Sequence, residues 1–455
     1  MLFMGELATD RETFKFSEVL SALSFVMDMV EGQPEGHIVR SCFVGMTIGE
    51  RVGLTVEQRS ALFYALLLKD AGCSTTSSRV TALFDADDFE VKKTLKTTDR
   101  SRLPEALLYV ARTVSPHGSL WTKVRRFLAV GLEGHEANRE LVRVRCERGA
   151  EIARLMGFPE ETARTVRSLD EHWDGSGYPD GLRGEEIPLL SRICGLAQTI
   201  DFFYSAYGPD RAEEVSRARR NKWFDPALVD VFLAMVREGP MWEKLAGPDL
   251  LHEVSRLEPA DRVVTVTPER LDLTALAFAR IIDAKSPFTY RHSEGVANAA
   301  VAMAEYMGFP GSAVCDQRRA GLLHDIGKLS VSNRILDKPA PLTDEEFTQI
   351  KKHPKLTYEI LVRVPPFRGI AEAAANHHEK LDGTGYHRGI TGESLNLPSR
   401  ILAVADIFDA LSQNRPYRSA MPLDQVLGLL KKESGKKLCS RCVVALDELV
   451  SKGEL

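Results

Sequence analysis

The sequence predicts an all-α fold of two tandem helical bundles, and three observations lead to this prediction. Apolar residues recur at helical spacing in most segments, as at Ala61, Leu62, Ala65 and Leu66. Alternating apolar and polar runs bounded by hairpin turns, which are typical of strands, are scarce. An internal repeat also divides the chain into two similar halves, and such self-similarity indicates a repeated structural unit.

The composition is that of an ordinary globular protein with two or three domains. The chain has 455 residues, of which 44% are hydrophobic and 27% are charged. A net charge of −5 indicates no basic surface for a nucleic acid polymer. Seven scattered cysteines are not typical of a disulfide framework. Residues 1–16 lack the apolar core of a signal peptide, and no uncharged apolar run approaches about 18 residues. We therefore expect a cytoplasmic protein without a membrane span.

The repeat is carried by a loop motif and by an apolar segment upstream of it. Residues 171–179, Glu-His-Trp-Asp-Gly-Ser-Gly-Tyr-Pro, match residues 379–387, Glu-Lys-Leu-Asp-Gly-Thr-Gly-Tyr-His. Residues 67–72, Leu-Leu-Lys-Asp-Ala-Gly, match residues 322–327, Leu-Leu-His-Asp-Ile-Gly. Each half is therefore expected to form one globular helical unit.

The spacing of the matches predicts an insertion in the first half. Matching positions differ by 255 as far as Gly72 but by 208 from about Arg145 onward, so about 47 additional residues lie near 74–140. We expect its exposed part to be marked by charged residues, which are Asp85, Asp87, Asp88, Glu90, Lys92, Lys93 and Lys96.

The domain boundaries follow from the same matches. The first domain is predicted to span residues 1–245 and the second residues 272–455. Residues 246–271 are predicted to be a linker, because proline and glycine recur there.

A His-Asp pair, His324-Asp325, lies inside an apolar segment of the second half. Burying a carboxylate beside an imidazole costs several kcal/mol unless a partner neutralises it, and a metal cation is the usual partner. Histidine and carboxylate are the ligands of a hydrolytic Fe, Mn or Zn centre. A lone histidine is usually structural, but the second half collects seven candidates, which are His292, His324, Asp325, His353, His377, His378 and Asp406.

Two of these positions have informative neighbours. The small residues 373–375 precede His377 and His378, and small side chains allow another helix or a metal to approach closely. Asp406 and Asp409 are three residues apart and share a helix face. We expect Asp406 to bind metal and Asp409 to orient a ligand or to serve the structure.

These motifs resemble the HD-GYP family, a group of HD-superfamily phosphodiesterases that hydrolyse cyclic di-GMP. The resemblance covers about residues 272–455 and rests on His324-Asp325 followed by the motif at residues 377–386. His353-Pro354, Asp406 and residues 415–418 match further family positions.

The resemblance implies a centre with two divalent ions, Fe or Mn. It implies that His292, His324 and Asp406 face one ion. It further implies that Asp325 bridges the two ions, while the second ion is faced by His353, His377 and His378. Two nearby cations lower the pKa of a bridging water and neutralise phosphodiester oxygens.

Three cations are predicted to bind substrate. Lys328 lies one helical turn after His324 and can reach a phosphate oxygen, so we assign it both a catalytic and a substrate-binding role. Arg415 and Arg418 resemble the family's pair that holds the second phosphate, a task that suits guanidinium groups. The alternative for each is an ordinary solvent-exposed cation.

The second half departs from the family pattern at two positions. Some members hold a third metal through a glutamate four residues before the first histidine, but Phe288 stands there, so we expect two metals. His387 replaces the final proline of the loop motif, and we expect it to be an exposed loop residue rather than an additional ligand.

The first half has lost most of the site. The positions of His324, His353, His377, His378 and Asp406 are occupied there by Lys69, Arg145, Leu169, Asp170 and Gln198. Two cations would repel a metal, and Lys69 offers Asp70 an ion pair inside the core. We therefore expect a degenerate copy with a structural, dimerising or regulatory role.

The pair Cys439 and Cys442 has no partner pair, so we do not expect a zinc site. Its repeat counterpart, residues 225–228, begins a predicted helix, which favours ordinary packing.

The sequence thus predicts a metal-dependent hydrolase of cyclic di-GMP that forms pGpG, with further cleavage to GMP left open. One alternative is another cyclic dinucleotide, such as cyclic GMP-AMP, because metals and phosphate-binding residues do not recognise the base. A second alternative is a signalling adaptor that binds nucleotide with little turnover. An adaptor need not keep all seven ligands, which favours the enzyme. A homodimer or a protein partner is predicted to involve the first half.

Overall fold

The structure is a computed structural model that describes residues 15–97, 109, 111–116, 119–260, 263–414 and 419–455. Within these ranges the regular structure is helical, and strand-like pairing is limited to isolated bridges. The predicted all-α class is confirmed. The helices of the described ranges include none that is long and apolar enough to cross a membrane.

The first half contains the helices up to residue 257. They are α1 (Phe16–Val30), α2 (His37–Arg51), α3 (Val56–Leu68), α4 (Ser77–Phe84), α5 (Asp88–Thr97), α6 (Leu120–Leu155), α7 (Glu160–Arg167), α8 (Leu189–Tyr207), α9 (Pro209–Ala218), α10 (Pro226–Glu238), α11 (Met241–Ala246) and α12 (Leu250–Leu257).

The second half repeats the main helices in the same order. They are α13 (Pro268–Asp283), α14 (His292–Tyr306), α15 (Gly311–Leu323), α16 (Asn333–Leu336), α17 (Asp344–Ile350), α18 (His353–Arg363), α19 (Ala371–Ala375), α20 (Leu397–Ser412), α21 (Leu423–Glu433) and α22 (Ser440–Ser451). Helices α14, α15 and α20 correspond to α2, α3 and α8. The predicted tandem arrangement is confirmed.

Polar caps fix where several helices begin. The Thr55 hydroxyl accepts a hydrogen bond from the backbone NH of Gln58, and the Gln58 side-chain oxygen accepts one from the backbone NH of Thr55, which together start α3. The Asn396 side chain accepts from the backbone NH of Ser399 at 2.9 Å and starts α20, the helix that carries Asp406.

Each half packs its first helix against the other half. Helix α1 contacts the 3-10 turn Ile326–Ser330, and α13 contacts the corresponding turn Cys73–Thr76. Buried apolar side chains of both halves form one continuous core. The two copies therefore support each other through equivalent surfaces.

The segment that we predicted to be a linker contains helix α12, which packs on α2. Beyond this helix, the buried carboxylate of Glu258 accepts hydrogen bonds from Ser17 at 2.7 Å and from Tyr64 at 2.5 Å. This part of the segment is fastened to the first half.

The expectation of exposure was wrong for two charged residues of the insertion. Asp88 is fully buried and Lys92 is 6% exposed. The Lys92 ammonium donates to the carbonyls of Val30 and Cys73 and to Ser77. Burial is tolerated because these charges have polar partners, which the local sequence does not reveal.

The side chain of Asp88, which belongs to the insertion in the first half, contacts the second half. Its carboxylate accepts a hydrogen bond from the backbone NH of Asn333 at 2.9 Å and lies 3.7 Å from the Lys285 ammonium. Lys285 also donates to the carbonyl of Leu329 at 3.0 Å. The buried pair therefore joins helix α5 to the segment that follows His324 and Asp325.

We predict that Asp88→Ala lowers the free energy of unfolding by about 3–5 kcal/mol, because it leaves the Lys285 ammonium buried without its carboxylate. The measurement is chemical denaturation of the full chain.

The control is Glu35→Ala, which removes another ion pair between the halves, Glu35 with Arg363 at 3.3 Å. Both partners are exposed, so the expected cost is about 0–1 kcal/mol. Equal effects of the two substitutions would show that the buried pair does not fasten the halves together.

Candidate metal centre

The seven candidate ligands come from five helical elements that meet in one place. His292 opens α14, His353 opens α18, and Asp406 lies in α20. The remaining four follow the ends of α15 and α19 directly, and they are His324, Asp325, His377 and His378. All seven are buried except His378, which is half-buried.

A glycine explains how the His-Asp pair reaches His353. A Cβ atom on Gly327 would lie 2.0 Å from the carbonyl oxygen of His353, so only glycine permits this approach of the two backbones. The Thr357 hydroxyl donates to the carbonyl of His324 at 2.9 Å and accepts from the Gly327 NH at 3.1 Å. Sequence analysis missed Thr357, whose only signal was its position one helical turn after His353.

Three histidines are oriented in the same way. In each, Nδ1 lies 2.6–2.7 Å from the carbonyl oxygen three residues upstream, so Nδ1 carries the proton and Nε2 keeps a lone pair. The three pairs are His324 with Gly321, His353 with Ile350, and His377 with Ala374. Metal-binding histidines commonly have this outer hydrogen bond.

The Asp325 carboxylate lies between two groups of imidazoles. Its Oδ1 is 3.3 Å from His353 Nε2 and 3.6 Å from His377 Nε2. Its Oδ2 is 3.3 Å from His324 Nε2 and 3.8 Å from His292 Nε2. One carboxylate therefore presents one oxygen to each group, which is what a bridging ligand needs.

Two carboxylates flank His292. Its Nε2 lies 3.2 Å from Asp406 Oδ1 and its Nδ1 lies 2.6 Å from Asp409 Oδ2. Burial lowers the pKa of His292, but the hydrogen bonds to Asp406 and Asp409 outweigh it and raise the pKa to about 9. This part of the cluster stabilises positive charge, whether a proton or a cation supplies it.

Burial sets the charge state of the histidines on the other side of Asp325, which are His353, His377 and His378. It lowers the pKa of His353 and of His377, and it lowers the pKa of His378 to about 3. Burial alone would raise the pKa of Asp325, but His324 and Lys328 hold it well below its usual range. His353, His377 and His378 therefore offer neutral imidazoles beside the ionised carboxylate of Asp325.

The donor set fits divalent metal ions. The ligand atoms of His353, His377 and His378 all lie within 4.8 Å of one another, and the same holds for His292, His324 and Asp406. Across the part of the chain that the structure describes, His324 Nε2 and Asp325 Oδ1 find no hydrogen-bond donor or acceptor although both are buried. Buried polar atoms are rarely left so, and converging nitrogen and carboxylate donors suit Fe, Mn or Zn.

The three predicted substrate-binding cations fall into two groups. Lys328 lies beside the cluster, and its ammonium is 2.5 Å from Asp325 Oδ2. Arg415 and Arg418 lie outside the described residues.

The loop that carries the repeated motif, residues 379–395, is called the signature loop here. The buried Glu379 carboxylate accepts from the backbone NH groups of Arg388, Gly389 and Ile390 at 2.6, 3.1 and 3.2 Å. In the first half, Glu171 accepts from the NH groups of residues 180–182 in the same way. The motif glutamate, to which we gave no role, therefore holds this loop shape in both halves.

His387 is half-buried rather than exposed. It lies in the signature loop, and it belongs to none of the described groups whose ligand atoms converge within 4.8 Å. Burial lowers its pKa. The structure thus places it outside the metal cluster.

In the first half, a lysine ammonium takes the place of a ligand. Lys69 pairs with Asp70, and its Nζ lies 2.9 Å from His37 Nε2. His37 Nδ1 lies 2.7 Å from Asp201, which matches the contact of His292 with Asp409. The carboxylate is neutralised within the protein, as the sequence suggested.

A second cation, Arg145, stands at the position of His353. Arg145 pairs with Asp170, at the positions of His353 and His378. A cavity of about 170 Å³ remains beside these pairs. This is smaller than the roughly 300–1,000 Å³ typical of drug-sized ligand sites. Cations thus occupy two of the positions that offer metal ligands in the second half.

The comparisons with known proteins agree with this site. The model of the HD domain family matches residues 91–228 and 277–439. A protein of Vibrio cholerae named 3'3'-cGAMP-specific phosphodiesterase 3 is 39% identical over 441 residues, 97% of this chain and 96% of that protein. A cyclic di-GMP phosphodiesterase of Pseudomonas aeruginosa is 39% identical over 263 residues, 58% of this chain and 62% of that protein.

A solved structure also resembles this chain over nearly its full length. It is the crystal structure of the V. cholerae cyclic GMP-AMP phosphodiesterase V-cGAP3, with a TM-score of 0.64 and 34% identity. The alignment covers 96% of this chain and 98% of that one.

We predict that Lys69→Met lowers the free energy of unfolding by about 3–5 kcal/mol, because it leaves the buried Asp70 carboxylate without its ammonium partner. Adding Asp70→Asn removes the uncompensated charge and should recover most of this loss.

Chemical denaturation of the wild type, both single variants and the double variant measures the coupling energy. Additive losses in the double variant would show that Lys69 does not neutralise Asp70.

Proposed function

The chain belongs to the HD domain family, in its HD-GYP branch of metal-dependent cyclic dinucleotide phosphodiesterases, and we propose that its second half alone carries the hydrolytic site. The supporting observation is the contrast between the halves. Seven ligand-type side chains converge in the second half, whereas Lys69 and Arg145 occupy two of the same positions in the first. A non-hydrolytic adaptor would not need this complete set.

We propose two ions for the second half. His292, His324 and Asp406 would hold one ion. His353, His377 and His378 would hold the other, and Asp325, which lies between the two groups, would serve both. Phe288 stands where a third ion would need a carboxylate, and the mixture of imidazole and carboxylate donors suits Fe or Mn.

When bound, such ions make water acidic enough to attack near neutral pH and neutralise charge on phosphodiester oxygens. The protein's part is to fix the donors. Outer hydrogen bonds to backbone carbonyls and to Asp409 lock four of the imidazoles in orientation and tautomer, those of His292, His324, His353 and His377. The low pKa of Asp325 keeps its carboxylate ionised over the working pH range.

Lys328 is proposed as both a catalytic and a substrate-binding residue. Its ammonium points at Asp325 and is partly exposed, so it can turn from this carboxylate to a phosphate oxygen of bound substrate. Arg415 and Arg418 are proposed, from the family pattern, to hold the second phosphate.

The substrate that we propose is 3′3′-cyclic GMP-AMP rather than the cyclic di-GMP that the sequence motifs suggested. The relative that matches nearly the whole chain is named for 3'3'-cGAMP, as is the solved structure. The cyclic di-GMP relative matches 58% of the chain. The metal ligands cannot distinguish these substrates, because both present the same phosphodiester groups.

We predict that the purified protein hydrolyses 3′3′-cyclic GMP-AMP with at least about tenfold higher kcat/KM than cyclic di-GMP, a difference of about 1.4 kcal/mol in transition-state binding. Product chromatography with both substrates in parallel measures the ratio. Equal values, or a preference for cyclic di-GMP, would contradict the proposed substrate while leaving the metal site untouched.

We also predict that His292→Ala lowers the rate of hydrolysis by more than about 100-fold, because loss of one ligand weakens the binding of a metal ion. The matched variant His37→Ala changes the equivalent position of the first half and should retain activity per folded molecule. Circular dichroism checks the fold of both variants, and elemental analysis checks their metal. Equal loss of activity in the two variants would place the chemistry outside the second half.

A further inference from the structure

The turn that presents Asp325 is held by one side chain from a neighbouring helix. His324 directly follows the end of α15, and Gly327 belongs to the 3-10 turn that comes next. The Thr357 hydroxyl donates to the carbonyl of His324 at 2.9 Å and accepts from the NH of Gly327 at 3.1 Å. Thr357 is fully buried. One hydroxyl therefore binds the two backbone groups that bracket Asp325 in the chain.

The same hydroxyl connects this turn to the helix that carries His353. Helix α18 begins at His353, and Thr357 lies one helical turn further along it. Asp325 Oδ1 is 3.3 Å from His353 Nε2, and Asp325 Oδ2 is 3.3 Å from His324 Nε2. A functional site needs its groups held to within about 0.5 Å. The two hydrogen bonds of Thr357 restrain the carboxylate relative to both groups of imidazoles.

The first half provides an internal comparison, because it keeps the close approach of the two backbones without the hydroxyl. A Cβ atom on Gly72 would lie 1.9 Å from the carbonyl oxygen of Arg145, and the corresponding distance in the second half is 2.0 Å. The position of Thr357 is occupied in the first half by Gly149. The approach of the backbones therefore does not require the hydroxyl, which is present in the half that collects the histidines.

We propose that Thr357 is a positioning residue of the metal centre, an inference that rests on the function proposed above. A hydroxyl can donate and accept at the same time, so it holds the backbone on both sides of Asp325. The backbone in turn keeps the carboxylate between the two groups of imidazoles. In the first half the ammonium of Lys69 pairs with Asp70 directly, so that carboxylate has its own restraint.

A positioning hydroxyl and a purely structural one affect different quantities. Loss of two buried hydrogen bonds lowers the free energy of unfolding in either case. Only a positioning role also lowers the affinity of the folded protein for metal. Loss of a contact that orients metal ligands typically lowers metal affinity by about 10–100-fold. Metal affinity is therefore the quantity that separates the two roles.

The test compares variants of the full chain at Thr357 with the wild type. Each protein is freed of metal by a chelator and titrated with Mn²⁺, the free ion is measured by electron paramagnetic resonance, and circular dichroism gives the folded fraction. Thr357→Val keeps the shape without the hydroxyl and should weaken Mn²⁺ binding by about 10–100-fold. Thr357→Ala, a second variant without the hydroxyl, should do the same. Thr357→Ser keeps the hydroxyl and should recover the binding of the wild type.

The matched control is Thr274→Val. Thr274 is also fully buried in the second half, but its hydroxyl donates to the carbonyl of Arg270 four residues upstream in the same helix, α13. Its loss should leave the Mn²⁺ affinity unchanged, because it joins no two elements of the cluster.

Wild-type Mn²⁺ affinity in folded Thr357→Val or Thr357→Ala would overturn the proposal and leave the hydroxyl a purely structural role. Equal weakening in Thr357→Ser would also overturn it, because the hydroxyl would then not be the responsible group. A wild type that binds no Mn²⁺ and hydrolyses neither cyclic dinucleotide would instead overturn the proposed function.

Discussion

A buried carboxylate that must be neutralised is the constraint on which the rest of this structure depends. Both halves bring an aspartate, Asp70 or Asp325, into a closed part of the core, where an unpaired charge costs several kcal/mol. The first half meets this cost with the ammonium of Lys69. The second half surrounds its aspartate with histidines whose Nε2 atoms converge, an arrangement that divalent cations would complete. One fold thus supports two solutions, and we propose that only the second provides hydrolytic chemistry.

The scaffold around the aspartate is retained where the chemistry is lost. His37 keeps its contact with Asp201, and Glu171 keeps the loop shape that Glu379 fixes in the second half. The first half is therefore a folded partner rather than a remnant. Its first helix packs against the turn that follows His324 and Asp325, and its insertion sends a buried carboxylate to the same region. Through these contacts the first half supports the region around His324 and Asp325, although its own cluster has lost most of the ligand-type residues.

The sequence predicted the all-α tandem fold and named seven side chains that the structure brings together, because a repeat with long spaced motifs shows which positions kept histidine and which became lysine or arginine. It failed where tertiary partners decide. Asp88 lies in a charged run that is typical of a solvated surface, and its buried partner is about 200 residues away. The motifs also could not predict which bases the substrate carries, because residues that contact phosphate or metal do not recognise the base.

The most direct measurement is anomalous diffraction from crystals of the full chain grown with Mn or Fe. The account predicts two anomalous peaks, one on each side of Asp325, and none near Lys69. The described residues of the first half do contain one group of potential ligands, Glu31, Asp70 and Cys73, but the ammonium groups of Lys69 and Lys92 already lie against its carboxylates. A peak within that group, or no peak beside Asp325, would contradict the claim that metal chemistry belongs to the second half.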